Sequence, residues 1–282
     1  MKEHPTLSII TVNLNNRDGL QRTIDSVVGQ TFTDYEWIVI DGGSTDGSRE
    51  LIEQYADHFA YWCSEPDKGI YNAMNKGIAH AKGEWLQFLN SGDWLYEDTT
   101  LEKVFAKEYE AEILYGDLIL TKNDTTQPVH YDSDLTLYTL YYKSLPHPSS
   151  FIRRTLFSDK LYNEDLKIVA DWAFFLECAM NKVGFAHLDL FISYYDYTGI
   201  SSTNRKAVLE ERKSVIDSIV PECVQRDIKQ LEKMRIKLAD GQLEEIDTFR
   251  KKSRFFHRLV TFDIYILRFL TKFSFNKKKI YG

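Results

Sequence analysis

Short apolar runs alternate with helix-like segments over roughly the first 120 residues, which is the pattern of an α/β protein. Helical spacing of apolar residues predicts two covering helices, near residues 20–28 and 70–78. The runs predicted to form strands are residues 7–13, 35–41, 61–65, 84–89 and 113–120. Strands and helices in this order predict a Rossmann-like, mostly parallel sheet flanked by helices.

The pattern becomes less regular after residue 124, and two later segments still have a clear period. Residues 169–180 are predicted to form an apolar helix, and residues 185–197 are predicted to form a strand. We expect the sheet domain to span residues 1–200. Residues 201–282 are predicted to be a helical extension, since 205–250 are rich in charged, helix-forming residues.

Polar or glycine-rich loops follow four of the predicted strands, at residues 13–16, 41–47, 67–69 and 90–93. Ligands of open α/β sheets bind beyond the carboxyl ends of the strands. We therefore expect these four loops to meet at one rim of the sheet and to carry the chemistry.

Two of the loops contain a carboxylate directly after a buried strand. Asp41 precedes two glycines, a pattern suited to binding a nucleotide base or ribose, although turn and helix-cap roles explain the same residues. Asp93 is the candidate ligand of Mg²⁺ or Mn²⁺, which take one or two carboxylates together with substrate phosphates. The alternative for Asp93 is again a turn or helix-cap residue.

Three further residues are candidates, each with a structural alternative. Lys68 precedes a predicted helix, where a phosphate would be attracted, or it is a solvated surface charge. Asp171 begins an apolar helix that would raise its pKa toward that of a proton acceptor, or it caps the helix. His147 lies between two prolines in a backbone expected to be extended, and is either a metal or diphosphate ligand or an ordinary loop histidine.

The composition excludes several classes of protein. A net charge of −7 gives no basic surface for nucleic acid. The three cysteines are widely spaced and odd in number, which argues against a disulfide framework or a cysteine zinc site and favours a reducing cytoplasm. The apolar stretch at residues 7–12 is too short for the core of a signal peptide.

Residues 251–282 are basic and apolar, with nine Lys or Arg residues and one Asp. Because Asp263 and Arg268 interrupt the apolar run, an amphipathic helix lying on the inner face of the cytoplasmic membrane is favoured over a membrane span. The alternative is that this tail packs on the sheet domain or on a second subunit of a homo-oligomer.

Five blocks, taken in order, resemble glycosyltransferase family 2, and are most similar to the bacterial enzymes of exopolysaccharide, capsule and colanic-acid-type assembly. The blocks are residues 7–13 (LSIITVN), 41–47 (DGGSTDG), 64–77 (SEPDKGIYNAMNKG), 88–93 (FLNSGD) and 169–172 (VADW). The resemblance implies a GT-A fold and an inverting transfer of sugar from a UDP-sugar or related donor to a hydroxyl of a saccharide or lipid-linked saccharide.

The resemblance also implies roles for single residues. The roles are base and ribose binding by Thr11, Asn13 and Asp41, diphosphate binding by Lys68, metal binding by Asp93, and general-base catalysis by Asp171. Beside these, Asn90, Ser91 and Gly92 are candidates for binding the nucleotide sugar, and His147 is a second candidate metal ligand. One departure is visible: the family commonly has Asp-x-Asp where this chain has Asn90-Ser91-Gly92-Asp93, so metal affinity is expected to depend on the donor diphosphate.

Two other classes of protein remain as alternatives at this stage. A nucleotidyltransferase would also use an α/β domain, a metal and a nucleotide, but the sequence has no glycine-rich basic loop for a triphosphate. A non-catalytic binder of sugar nucleotides is the other alternative, because the first carboxylate of the metal motif is missing.

Overall fold

The predicted alternation of strands and helices is present in a computed structural model, which describes residues 4–122, 125–197, 199 and 204–239. The strands are β1 (Leu7–Asn13), β2 (Tyr35–Asp41), β3 (Tyr61–Ser64), β4 (Trp85–Phe88), β5 (Trp94–Leu95), β6 (Ile113–Lys122), β7 (Thr125–Val129), β8 (Ser150–Arg153) and β9 (Phe185–Asp196). The α-helices are α1 (Arg17–Val28), α2 (Ser48–Gln54), α3 (Ile70–His80), α4 (Thr100–Val104), α5 (Leu137–Tyr142), α6 (Ala170–Met180), α7 (Arg205–Ile219) and α8 (Glu222–Ala239).

The nine strands form one sheet in the order β3-β2-β1-β4-β8-β6-β9-β5, with β7 paired to β6. The N-terminal part, β3-β2-β1-β4, is parallel, as the sequence pattern predicts. The rest is mixed, because β8 runs antiparallel to both β4 and β6, and β5 runs antiparallel to β9. The short pair β5–β9 brings the loop after β4 close to the end of the last strand.

Alternate residues of the central strands face the two sides of the sheet, as strand geometry requires. On one side Leu7 and Ile9 of β1 join a buried cluster with Leu20 and Ile24 of α1. On the other side α3 lies so close that a Cβ added at Gly77 would meet Ile10 Cγ2 at 2.4 Å. Both faces of β1 are therefore covered, and its carboxyl end alone is left to meet a ligand.

Thr11 lies inside this core and does not reach the rim. Its Oγ1 accepts a hydrogen bond of 3.0 Å from Trp37 Nε1, and both side chains are buried. The role expected for Thr11, contact with a base or ribose, is not supported by this position, since the hydroxyl satisfies the indole N–H beneath the sheet.

Residue contacts divide the chain into two compact units, Met1–Val220 and Pro221–Gly282. Helix α7 belongs to the first unit and packs against α6, and α8 is the described part of the second. The helices predicted for the extension are thus present from residue 205 to residue 239. The predicted tail, 251–282, lies outside the described residues. In the part of the chain that is described, no helix has the length and apolar character needed to cross a bilayer.

We expect Thr11→Val to lower the free energy of unfolding by about 1–3 kcal/mol, because it leaves the buried N–H of Trp37 without an acceptor. Urea denaturation of Thr11→Val, Trp37→Phe and the double variant measures this. If the hydrogen bond is the cause, the double variant loses less stability than the two single losses added together. Additive losses would show that the bond contributes nothing.

Candidate functional site

A cavity of about 530 Å³ opens at the carboxyl ends of the parallel strands. Three of the four polar loops line it, through Asn13, Lys68 and Asn90 among others. The first turn of α6 adds Asp171, and the turn before β8 adds His147. Segments more than 150 residues apart in the chain therefore meet around one space, as expected for a ligand site in an open α/β sheet.

The fourth loop lies behind the cavity wall. Its Asp41 is fully buried, and the carboxylate faces the residues of its own loop. Its carboxylate accepts hydrogen bonds from Ser44 Oγ at 2.5 Å, Ser64 Oγ at 2.6 Å and Asn13 Nδ2 at 2.7 Å. Burial favours the neutral acid, but these hydrogen bonds outweigh it and lower the pKa of Asp41. Asp41 is thus ionised and does not line the cavity.

Asn13 connects the buried Asp41 to the cavity. Its Nδ2 donates to Asp41 and, at 3.2 Å, to Ser44 Oγ, which fixes the orientation of the amide. Its Oδ1 is buried, lacks a hydrogen-bond partner among the described residues, and belongs to a side chain that lines the cavity. An unpaired buried acceptor at a cavity wall is suited to an N–H or hydroxyl of a ligand.

The loop 90–93 turns Asp93 inward. Gly92 has φ of +102°, a conformation that side-chain-bearing residues rarely adopt, and its N–H donates to Thr23 Oγ1 at 3.2 Å. Asp93 Oδ1 accepts a 3.0 Å bond from the backbone N–H of Asp196. Burial raises the pKa of Asp93 to about 7, although His147 and the N–H of Asp196 favour the ionised form. Gly92 itself does not line the cavity, whereas Ser91 does.

His147 lies between the two cavity carboxylates. Its Nδ1 is 3.4 Å from Asp171 Oδ2, and its Nε2 is 3.8 Å from Asp93 Oδ2 and 3.0 Å from Asn90 Nδ2. Burial opposes the charged imidazolium, but the hydrogen bond to Asp171 and the charges of both carboxylates raise the pKa of His147. The extended backbone expected at His147 is wrong, because the residue begins a 3₁₀ turn, His147–Ser149, which aims its ring at both acids.

Asp171 lies in the first turn of α6 and is buried among ionic and hydrogen-bonding groups as well as apolar ones. Its Oδ1 accepts a hydrogen bond of 2.9 Å from Tyr71 Oη. Burial alone would raise its pKa, but His147, Tyr71 and the backbone of Trp172 favour the ionised form and lower it. The expected rise in the pKa of Asp171 is therefore wrong, since the apolar residues of α6 are not its only neighbours.

The cavity is acidic. Five carboxylates line it, and Lys68 and Lys167 are the only lysines among its described lining residues. Lys68 is exposed on the loop before α3, and its backbone N–H donates to Asn72 Oδ1 at 3.2 Å. Since carboxylates outnumber lysines at this wall, a cation bound beside an anionic ligand would favour its binding.

The structure brings together seven of the ten sequence-predicted site residues at the cavity wall. These are Asn13, Lys68, Asn90, Ser91, Asp93, His147 and Asp171. The other three are not at the wall: Thr11 lies in the core, Asp41 lies behind Asn13, and Gly92 shapes the loop. Residues at the ends of the strands lie near the cavity, but the conformation of each loop determines whether a given side chain faces it.

Sequence reasoning missed Tyr195, Asp196 and Glu164, which also line the cavity. Glu164 accepts hydrogen bonds from the side chains of Asn72 and Asn75, at 2.9 and 3.0 Å, and these bonds lower its pKa. Both donors lie in the block 64–77, so this pair of asparagines was a sequence signal for an acceptor nearby. Tyr195 and Asp196 are positioned by the pairing of β9 with β6 and β5, which has no local sequence signal.

A divalent cation fits this site only if a ligand completes its shell. Among residues 4–122, 125–197, 199 and 204–239, no group of three His, Cys, Asp or Glu side chains is arranged to hold a metal. Asp93 and His147 supply one oxygen and one nitrogen, and Asn90 Oδ1 is buried without a partner in the described structure. Mg²⁺ and Mn²⁺ commonly add substrate phosphates and water to one or two protein carboxylates, which agrees with this donor set.

Most of the sheet domain is similar to a known protein family. The model of the family "Glycosyl transferase family 2" matches residues 8–163, which is more than half of the chain. The chain belongs to glycosyltransferase family 2. This makes the chain a glycosyltransferase, and the two alternatives of a nucleotidyltransferase and a non-catalytic binder are set aside.

Curated relatives agree with the family. A PGL/p-HBAD biosynthesis glycosyltransferase of Mycobacterium bovis is 34% identical over 209 residues, which cover 71% of this chain and 80% of the relative. An uncharacterized glycosyltransferase of Mycobacterium tuberculosis is 38% identical over 189 residues, covering 64% of this chain and 71% of the relative. The narrower resemblance to exopolysaccharide and capsule enzymes stays a prediction.

Solved structures show the fold of this glycosyltransferase. S. aureus TarS in complex with UDP-GlcNAc has a TM-score of 0.62 at 20% identity, over 79% of this chain and 69% of TarS. The mannosyltransferase PcManGT of Pyrobaculum calidifontis, in complex with GDP-Man and Mn²⁺, has a TM-score of 0.59 at 14% identity, over 94% of this chain and 86% of its own. The predicted GT-A type of fold is confirmed.

We expect Asp93→Asn to change how the stability of the metal-free enzyme depends on pH. The pKa of Asp93 is about 7 in the folded protein and about 4 in the unfolded chain. The stability that this proton contributes is therefore fully present below pH ~4 and is lost as the pH rises through ~7. Asp93→Asn has no such proton, so it gains roughly 2–3 kcal/mol relative to the parent between pH 5 and pH 8.

Urea denaturation in a chelator at pH 5 and pH 8 measures this difference in the free energy of unfolding. Asp165→Asn is the control, because Asp165 is exposed in the segment before α6 and does not line the cavity. A parent-to-variant difference that is the same at both pH values would show that Asp93 titrates normally.

Proposed function

We propose that this glycosyltransferase moves a sugar from a nucleotide-diphosphate donor, most simply a UDP-sugar, to a hydroxyl acceptor with inversion at the anomeric carbon. The single observation that carries the proposal is the arrangement of Asp93 and Asp171 on either side of His147 in one cavity. Asp93 is suited to the diphosphate end of a donor, and Asp171 is suited to a reacting hydroxyl.

Donor binding is supported by the polar groups at the strand ends. The unpaired Oδ1 of Asn13 is suited to a base or ribose donor group, and Asp41 holds the amide in that orientation. Lys68, next to the N-terminus of α3, is suited to a diphosphate oxygen. The complexes of TarS with UDP-GlcNAc and of PcManGT with GDP-Man support a nucleotide sugar as the ligand of this fold.

Asp93 would hold a divalent cation, Mn²⁺ or Mg²⁺, together with the donor diphosphate. His147 would join it as a ligand only in the neutral form, because a protonated imidazole has no lone pair for a metal. A cation bound there would neutralise the charge that develops on the leaving nucleoside diphosphate. The acidic lining supports this assignment, because the diphosphate would otherwise meet five carboxylates. The raised pKa of Asp93 supports it as well, since burial outweighs the effect of His147 on this carboxyl, and a bound cation would favour its ionised form.

Asp171 is proposed as the general base. Tyr71 and His147 keep its carboxylate ionised and hold it at the cavity wall, so that it is ready to accept the proton of an attacking hydroxyl. Tyr71 contacts Oδ1 and His147 contacts Oδ2, which leaves each oxygen further lone pairs for a hydroxyl. A single displacement at the anomeric carbon, with the acceptor opposite the leaving group, gives inversion.

The setting of the reaction is proposed from the resemblance and from one relative. The mycobacterial relative is by name a biosynthesis glycosyltransferase, which supports a biosynthetic role for this chain. We place that role in cell-surface polysaccharide assembly in the cytoplasm, with a saccharide or lipid-linked saccharide as acceptor. The basic and apolar composition of residues 251–282 supports contact with an anionic membrane surface.

We expect Asp171→Asn to lower turnover by a factor on the order of 10²–10⁴, because the amide cannot accept the proton of the acceptor hydroxyl. Donor binding stays within about twofold, since the amide keeps the size and the hydrogen bond of Tyr71. Release of UDP from UDP-sugars, followed with Asp165→Asn as the control, measures turnover. Normal transfer by Asp171→Asn would remove Asp171 from the reaction.

We expect Asp93→Asn to remove the dependence of UDP binding on Mn²⁺. Calorimetry of UDP with and without Mn²⁺ should show tighter binding with the metal for the parent and for Asp165→Asn, and the same weak binding under both conditions for Asp93→Asn. The reason is that Asp93 is the one cavity carboxylate in the position of the metal motif. Metal-dependent binding by the variant would assign the cation to other residues.

A further inference from the structure

A second cavity, of about 300 Å³, lies beside the first. His147, Ile168, Asp171 and Tyr195 line both, so the two spaces adjoin at these four side chains. Asp171, the proposed base, is therefore accessible from two sides. The first cavity contains every residue assigned to the diphosphate and the metal, and the second contains none of Lys68, Asn90, Ser91 and Asp93.

The second cavity differs from the first in chemistry. Aliphatic side chains of the strands β6 and β7, including Leu118, Leu120 and Val129, cover much of it. Tyr131 and Trp172 add aromatic surface. Flat apolar surface with few polar groups is suited to the apolar face of a sugar ring or to an aromatic or aliphatic substituent.

The cationic side chain of this cavity is Arg212, on α7. Its guanidinium lies 4.6 Å above the ring of Trp172, and Nη1 donates a 2.9 Å hydrogen bond to the carbonyl of Tyr142. In the described part of the chain no carboxylate lies within ion-pair distance of it, and its Nε is buried without a hydrogen-bond partner. Partial burial also lowers the pKa of Arg212, although the charge of Asp171 favours its ionised form.

We propose that the second cavity binds the acceptor, and that the acceptor is an anionic hydroxyl compound: its apolar part packs on Leu120 and Trp172, and its carboxylate or phosphate pairs with Arg212. The proposal rests on the proposed function and deepens it. A planar guanidinium pairs with either anion through two parallel hydrogen bonds, so both sources share one recognition chemistry.

This placement gives the transfer a consistent path. The acceptor oxygen approaches from the second cavity and forms the new bond to the anomeric carbon. Its proton passes to a carboxylate oxygen of Asp171, and the bond between the anomeric carbon and the phosphate oxygen breaks, with its electron pair leaving on the nucleoside diphosphate.

The test is binding of matched probes while UDP and Mg²⁺ saturate the donor cavity. Phenyl β-D-glucuronide is anionic, and phenyl β-D-glucoside is neutral with nearly the same shape. Ligand-observed NMR titration should give roughly tenfold tighter binding of the glucuronide. Phenyl phosphate against phenol, measured in the same way, determines whether phosphate is preferred over carboxylate.

Variants of the second cavity identify the site of binding. Arg212→Met keeps the aliphatic stem on Trp172 and should reduce the preference for the glucuronide to less than about twofold, while Arg212→Lys keeps part of it. Leu120→Trp narrows the cavity and should weaken both probes. Arg49→Met is the matched control, since Arg49 pairs with Glu53 on the exposed face of α2. UDP affinity should be unchanged in all four, which also shows that each variant is folded.

Equal affinity of the two probes, failure of either probe to bind, or an undiminished preference in Arg212→Met would overturn the acceptor assignment while UDP binding continues to support the proposed function. Absence of UDP binding by the parent would contradict the proposed function itself, and this inference with it. The two failures are thus distinguished by the UDP titration of the same sample.

Discussion

The site depends on one imidazole buried between two carboxylates. Burying two ionised acids close together is costly, and His147 compensates that cost with a single positive charge. The charge is shared unequally, because His147 is 3.4 Å from Asp171 and 3.8 Å from Asp93, and Asp171 also accepts from Tyr71. Asp171 is consequently ionised, whereas Asp93 has a pKa of about 7. An incoming cation completes the charge balance at Asp93.

Helix α7 holds this arrangement in place from outside the sheet. The carboxylate of Glu211 accepts three backbone hydrogen bonds, from Lys167 at 2.8 Å, Ile168 at 3.0 Å and Val169 at 3.2 Å. These residues directly precede α6, whose first turn has no capping side chain of its own. Glu211 therefore fixes the segment that leads into α6 and to Asp171. Helix α7 is in this way part of the support of the site.

The sequence predicted those features that a single strand or helix determines. Loops at strand ends are encoded by short apolar runs followed by polar residues, and Asn13, Asn90 and Asp93 came from that pattern. The antiparallel insertion of β8, which delivers His147, was not predictable, because no local periodicity records which strands pair. Arg212 was missed for the same reason: its partners, Trp172 and Tyr142, lie 40 and 70 residues away.

The pKa of Asp171 is lowered and not raised, because residues distant in the sequence determine it. Apolar neighbours along α6 suggested a raised pKa, yet the decisive neighbours, His147 and Tyr71, come from other elements. A carboxylate kept ionised at neutral pH is a weaker base, but it is available in every molecule, and it raises the pKa of His147. Because the acceptor proton is released only as the new glycosidic bond forms, availability and position matter more here than high basicity.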